Sequence, residues 1–483
     1  MRLRFRAISG WPKLGWVVRI RGDEAEVLHG PMVETAEDWA AEAVWAGDFR
    51  LGDFDRTDLV FGSGVRRRGG TLTFVGAGTV FDRLWHAERS GVLLVANTLA
   101  GLLAAAGEHL LSDHGRYSED VRSIHAGLDA HIRSIPAEGG AIGLVYFRNL
   151  TLRDGRRAPT DKPDAAPRFE TYGQYEDFLR ATAAALGSNA ADASRRYAVK
   201  PLTSISSGYD STAAATVARH AGCRRAVTIR KATSLWRGSD SGEDVARYLD
   251  LECLGYDRVA DRYPDEPALW AGEGRPGIIN WTQFDYDEPL CLFFTGIHGE
   301  KMWDRVAHDH PDPFVRRSPA SLGICEWRLH RGVFQCPVPF WGARHSHELH
   351  AITAAEMAPW STGDDYDKPI ARRIVEDAGV PREAFGQVNR NTSLEATFLW
   401  PYSPDAQADY AAYRRDRGLP VASAARVRWI RRAAHLDHLL YLNVTRRLPG
   451  RRRRRPWDRL SDASVLFRWA NETLARRAYD GAE

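Results

Sequence analysis

Up to residue 147 the chain sets short apolar runs between polar breaks. WVVRI (16–20), DLVFG (58–62), TLTFVG (71–76), GVLLVAN (91–97) and GAIGLVYF (140–147) are separated by Gly and Asp clusters. Runs of this length with such punctuation predict strands, and TLAGLLAAAG (98–107) is the clearest helix among them. The first region therefore reads as a layered, mostly β domain over 1–153. Residues 154–168, DGRRAPTDKPDAAPR, are charged and proline-rich without periodicity, and read as a linker. From 169 to 483 the rhythm changes. YGQYEDFLRATAAALGSNA (172–190) has helical spacing, YAVKPLTSIS (197–206) reads as a strand, and a helix follows Tyr209. AVTIR (226–230) and SGEDVARYLDLE (241–252) repeat the strand–helix alternation. Strands alternating with helices predict a doubly wound parallel sheet, so the fold class is α/β with a β-rich first domain.

Composition changes this picture little. The 483 residues are 44% hydrophobic and 10% aromatic, enough for two cores. Net charge is only +3, but arginine accumulates in the last sixty or so residues. Five cysteines form no CxxC pair, which disfavours a disulfide framework or zinc knuckle and leads us to expect reduced thiols in a cytoplasm. HSHELH (345–350) lacks the H-x-x-x-H spacing of a helical metal site and is expected on an exposed helix. No run of eighteen apolar residues occurs, so no membrane span is expected.

The candidate chemistry begins at SISSGYDST (204–212), where the expected strand gives way to the expected helix. Backbone N–H groups converge there with the positive end of a helix dipole, which suits a phosphate. Asp210 suits the cation that accompanies one. In a parallel sheet this junction lies beyond the carboxyl ends of the strands, where ligands bind. A serine-rich helix cap with Asp in the first turn accounts for the same residues without a ligand. Only six lysines occur, among them Lys301 and Lys368, so a lysine near this site is informative.

Ser206-Ser207-Gly208-Tyr209-Asp210-Ser211 resembles the SGGxDS pyrophosphate loop of the ATP pyrophosphatases, in the branch of asparagine synthetases and β-lactam synthetases. VTIR (227–230) with GSDSGEDVARYL (238–249) resembles the strand and helix that frame the adenine in that family. TGIHGEKMW (295–303) resembles its second acidic loop, CPVPFWG (336–342) its RVPFLD segment, and DKPIARRIVEDAGVPREAFGQ (367–387) its K-x-x-L-R helix. Residues 78–107 resemble part of the family's glutaminase domain. The resemblance implies a glutaminase-like first domain, a second domain of ATP pyrophosphatase type, and ATP and Mg2+ as cofactors. It implies nucleotide contacts from Ser204, Ser206, Ser207, Gly208, Tyr209, Asp210, Ser211, Thr228, Asp240 and Gly296, with Asp210 and Glu300 on the metal.

The departures from the family narrow the expectation. Arg2 stands where glutaminases carry the catalytic Cys, and no cysteine precedes Cys223, so glutamine is not expected to supply nitrogen. Gln335 and Ile297 align with the family's Glu and Tyr, and the R-x-K lysine falls on Asn389 or Arg390. His298 is then the candidate base, with Lys368 or Arg390 stabilising the oxyanion. The expected function is ATP-dependent adenylation of a small-molecule or peptide carboxylate followed by amide formation with an amine, in specialised biosynthesis. An RNA-modifying adenylating enzyme and a nucleotide-binding pseudoenzyme are the alternatives. The block Arg451–Arg455 could bind an acidic partner or nucleic acid, and a homodimer is possible.

Overall fold

The computed structural model describes residues 1–230, 239–257, 263, 265–276, 279–306, 312–315, 322–387, 400–443, 460 and 462–482. The first strands are β1 (Arg2–Ala7), β2 (Trp16–Arg21), β3 (Glu24–His29), β4 (Glu34–Ala36), β5 (Trp39–Trp45), β6 (Val60–Arg68) and β7 (Thr71–Val75). They continue with β8 (Arg83–Arg89), β9 (Val92–Ala96), β10 (Ser134–Ala137), β11 (Gly140–Tyr146), β12 (Asn149–Arg153) and β13 (Arg156–Thr160). One sheet has the order β1-β3-β2-β9-β8-β11-β10 and the other β13-β12-β7-β6-β5-β4. All their pairings are antiparallel except β1 with β3.

The alternation in the sequence explains how these sheets stack. Trp16, Val18 and Ile20 of β2 point into a core shared with Val65, Leu72, Phe74, Leu150 and Leu152 of the second sheet. The intervening Val17 belongs to a larger core that also takes in Leu99 and Leu103 of α1 (Leu99–Ala106). Residues 156–160, expected inside the linker, instead form β13. The Asp154-Gly155 turn folds them back on β12, so the irregular segment starts at Asp161.

The remaining helices are α2 (Tyr117–Arg122), α3 (Tyr172–Ala190), α4 (Tyr209–Ala218), α5 (Glu243–Tyr248), α6 (Glu266–Ala271), α7 (Ile279–Thr282) and α8 (Gly299–Met302). They are followed by α9 (Trp327–Arg331), α10 (Ser346–Ala355), α11 (Pro369–Asp377), α12 (Pro404–Asp416), α13 (Ala424–Asn443) and α14 (Ala463–Ala478). Helix α3 spans the 172–190 segment expected to be helical, with Thr171 as its cap accepting from Gln174 N.

Five parallel strands make the third sheet: β14 (Lys200–Ser204), β15 (Arg225–Ile229), β16 (Glu252–Tyr256), β17 (Cys291–Thr295) and β18 (Val333–Pro337). Their order, β16-β15-β14-β17-β18, reverses direction between β14 and β17. In an open parallel sheet this reversal opens a crevice beyond the strand ends, between neighbouring loops. Every residue of β17 and β18 is buried, as strands covered on both faces require.

The β-rich region and the parallel-sheet region share a polar, buried contact. Arg328 of α9 reaches Glu42 of β5 through two bonds of 2.8 and 3.1 Å and Asp82 through one of 2.6 Å. Glu326 accepts from Thr98 Oγ1 at 2.8 Å and Leu99 N at 3.1 Å, capping α1 from across the contact. Among the described residues no helix is long and apolar enough to cross a membrane.

Candidate functional site

The serine loop leaves β14 at Ser204 and enters α4 at Tyr209, at the switch point between β14 and β17. Four successive N–H groups of the loop each have an acceptor. Ser206 N donates to Ser211 Oγ (3.1 Å), Ser207 N to Asp240 O (3.3 Å), Gly208 N to Ser206 Oγ (3.2 Å) and Tyr209 N to the Tyr366 hydroxyl (3.4 Å). The Ser206 and Ser211 hydroxyls lie 2.7 Å apart, and Ser207 Oγ donates to Asp240 Oδ1 at 2.7 Å. Thr212 Oγ1 donates back to Ser206 O and Gly208 O, which fixes the turn. The loop is thus held in its curved form by its own hydroxyls together with Asp240 and Tyr366.

Asp210 lies in the first turn of α4, where the helix dipole favours a negative charge. Its Oδ2 accepts from Lys368 Nζ, and its Oδ1 is shielded from solvent with no hydrogen-bond partner. Burial pushes the carboxyl above its ordinary value, Lys368 pulls it back, and the carboxylates of Glu300 and Asp304 push it up again. Glu300, in the four-residue helix α8, is therefore close enough to sense Asp210 electrostatically. Two glycines allow this approach. A Cβ on Gly299 would fall 2.4 Å from Asp210 Oδ1, and one on Gly296 would fall 2.3 Å from the Asp210 carbonyl.

These residues fit a divalent cation carried with phosphate oxygens. Among the described residues no group of three or more His, Cys, Asp or Glu could hold a metal alone. Asp210, with Glu300 near enough to raise its pKa, offers two carboxylates, and hard cations complete their shell with phosphate and water.

The other sequence candidates have distinct places. Ser204 is buried, with Oγ 3.5 Å from Phe294 O, and Thr228 Oγ1 accepts from Gly242 N at 2.9 Å. Both secure the strand ends around the loop. Lys301, considered as a phosphate ligand, instead donates to Asp312 O (2.7 Å) and Val315 O (3.3 Å). Its ammonium ties down a neighbouring segment. His298 is fully buried, with φ of +80°, its ring against Phe340 at 4.5 Å and its Nε2 3.1 Å from Pro313 O. The imidazole is closed off from solvent in this arrangement. Gln335 lies buried on β18, and neither side-chain polar atom has a hydrogen-bond partner. Asn389, Arg390 and Arg451–Arg455 lie outside the described residues.

Three residues at the site were not among the sequence candidates. Tyr366 caps the loop through its hydroxyl and packs its ring on Tyr209 at 5.0 Å. Burial, reinforced by the charge of Asp210, pushes its phenol well above the ordinary value, so it stays protonated. Arg382 donates to the Tyr209 hydroxyl at 2.7 Å, and Gly386 N donates to Ser207 O at 2.7 Å. Gly386 has φ of +64°, and a Cβ there would fall 2.5 Å from the Tyr209 ring. The one signal in the chain was position: all three lie within twenty or so residues of Lys368, in or beside the segment that resembles the family helix.

No protein-family model matches the chain, and no curated protein matches its sequence.

Proposed function

We propose that the protein is an ATP-dependent ligase. It adenylates a carboxylate with release of pyrophosphate, then joins the acyl group to an amine from a source other than glutamine. One observation carries this reading: the shielded, unpartnered Oδ1 of Asp210, with Lys368 on the other oxygen, at the first turn of α4. A bare carboxylate oxygen where a helix N-terminus, hydroxyls and an ammonium converge suits a cation travelling with a polyphosphate. Magnesium bound there would neutralise charge on the departing pyrophosphate.

In this reading the chain's own groups divide the work. Ser206, Ser211 and the loop N–H groups receive the pyrophosphate, displacing their mutual contacts. Lys368 balances charge that grows as the leaving group departs. Ser207, Asp240, Thr228 and Ser204 hold the loop in shape. The amine attacks the acyl carbon, AMP leaves, and one proton must pass to a base, which is His298 once its segment moves. The test is Mg2+-dependent ATP–pyrophosphate exchange across a panel of carboxylates without any amine. Exchange with at least one acid supports the reading. Glutamine should supply nitrogen no better than buffer, since the β-rich region carries no cysteine thiol to attack it.

A nucleotide-binding pseudoenzyme is the second reading. The burial of His298 and the unpartnered amide of Gln335 favour it. Nucleotide binding with no exchange on any acid, with or without added RNA, would select it; exchange appearing only with RNA would select an RNA-modifying enzyme.

A further inference from the structure

On the face of the second domain formed by α3, the end of α4 and the end of α11 lies a cleft of about 390 Å³. Its volume falls in the range of small-ligand pockets. Leu179, Val217 and Ile374 supply apolar wall, and Arg219, His220 and Arg224 supply the polar one. The acidic groups of the cleft are already matched: Glu176 pairs with Arg180, and Asp377 with Arg373 at 3.5 Å. The residual charge is positive. Among the described residues neither Arg219 nor Arg224 is ion-paired, and Arg219 Nε is shielded from solvent without a hydrogen-bond partner. Partial burial, with Arg180 and Arg219 nearby, also holds His220 below its ordinary value, a mark of the same positive field.

Guanidinium groups favour phosphate, and an apolar wall beside them favours an organic body on that phosphate. We propose that this cleft is a second ligand site, which takes a small organic phosphate with its head on Arg219 and Arg224 and its apolar body against Val217 and Ile374. The site is separate from the serine loop, and the proposal does not depend on the ligase reading. It does have a structural link to that loop. The cleft touches the C-terminal ends of α4 and α11, the two helices whose N-terminal ends hold Asp210 and Lys368.

The test is calorimetric titration of the full chain at low salt with phenyl phosphate, with phenol and inorganic phosphate as comparison probes. Saturable 1:1 binding of phenyl phosphate, tighter than that of either comparison probe, is expected. Arg224 is exposed, so Arg224→Glu should leave the fold intact and weaken binding about tenfold or more, the scale of one charge-assisted hydrogen bond. Ala378→Phe, which fills the cleft without altering charge, should weaken it similarly, and Asp210→Asn should leave it unchanged. Absence of saturable binding would overturn the proposal. So would equal affinity in Arg224→Glu, equal affinity for inorganic phosphate, or loss of binding in Asp210→Asn.

Discussion

Lys368, the residue just before α11, places its ammonium on Oδ2 of Asp210, 158 positions earlier in the first turn of α4. Lys368 is buried and Asp210 only partly so, and the second oxygen of Asp210 is left unpartnered. The ammonium of Lys368 offsets the charge of Asp210 on one oxygen only, and the other oxygen is covered by Gly299.

Asp210→Asn keeps the shape of the side chain and removes its charge. Pyrophosphate exchange should fall about a hundredfold to a thousandfold, the usual worth of a group placed against developing charge. Thermal unfolding should stay near that of the parent. Near-parental exchange at saturating Mg2+ would remove Asp210 from the metal.

Lys368→Met should move the acid limb of the exchange rate. The Lys368 charge is what offsets the upward push of burial on Asp210. Without it the carboxyl binds its proton at higher pH, and activity that needs the ionised form is lost earlier on acidification. The midpoint should rise, because a close opposite charge that favours the ionised carboxylate is lost. A pH profile of the variant that overlays the parent would contradict this.

Gly299→Ala and Gly296→Ala should fail differently. The first added Cβ meets the movable carboxylate of Asp210, so exchange should drop while unfolding changes little. The second meets the Asp210 backbone, which cannot step aside, and should cost about 1–3 kcal/mol of stability by overpacking. Urea titrations beside exchange assays separate the two.

Arg328→Met should be among the most damaging changes outside the site. It leaves Glu42 and Asp82 buried without their cation, a loss of about 3–5 kcal/mol. Adding Glu42→Gln and Asp82→Asn should recover much of it, as urea unfolding of the triple variant would register.

Glu326 gives a pH prediction of definite sign. Burial pushes its carboxyl from 4.5 to about 7, against the bonds from Thr98 and Leu99. The folded chain therefore holds a proton that the unfolded chain releases, so stability falls as pH rises from about 4.5 to 7. The span corresponds to about 3 kcal/mol. Glu326→Gln should flatten the pH dependence of unfolding over that window by a comparable amount, and identical slopes in the two proteins would count against it.

Local pattern was enough to read the serine loop, the helix after it and the alternation that makes a parallel sheet, because each depends on residues within a few positions. Helix α3 matches the 172–190 segment for the same reason: its spacing and Thr171 cap are written side by side. The strand β13 was missed because Arg156–Thr160 is exposed along its whole length, so no apolar alternation marks it. Its pairing comes from the Asp154-Gly155 turn. Sequence also brought Asp210, Glu300 and Lys368 into one list of charged candidates, but it could not say which pair meets. That was decided by the sheet order, which sets the loop after β14 beside the loop after β17, and by α11 packing on α4. The same packing turned Lys301 toward Asp312 O and Val315 O, sealed His298 against Phe340, and brought Tyr366 and Gly386 onto the loop. A side chain's local propensity is carried by its neighbours in the chain; its direction and its partner are set by elements far away in sequence, through the packing that only the folded chain contains.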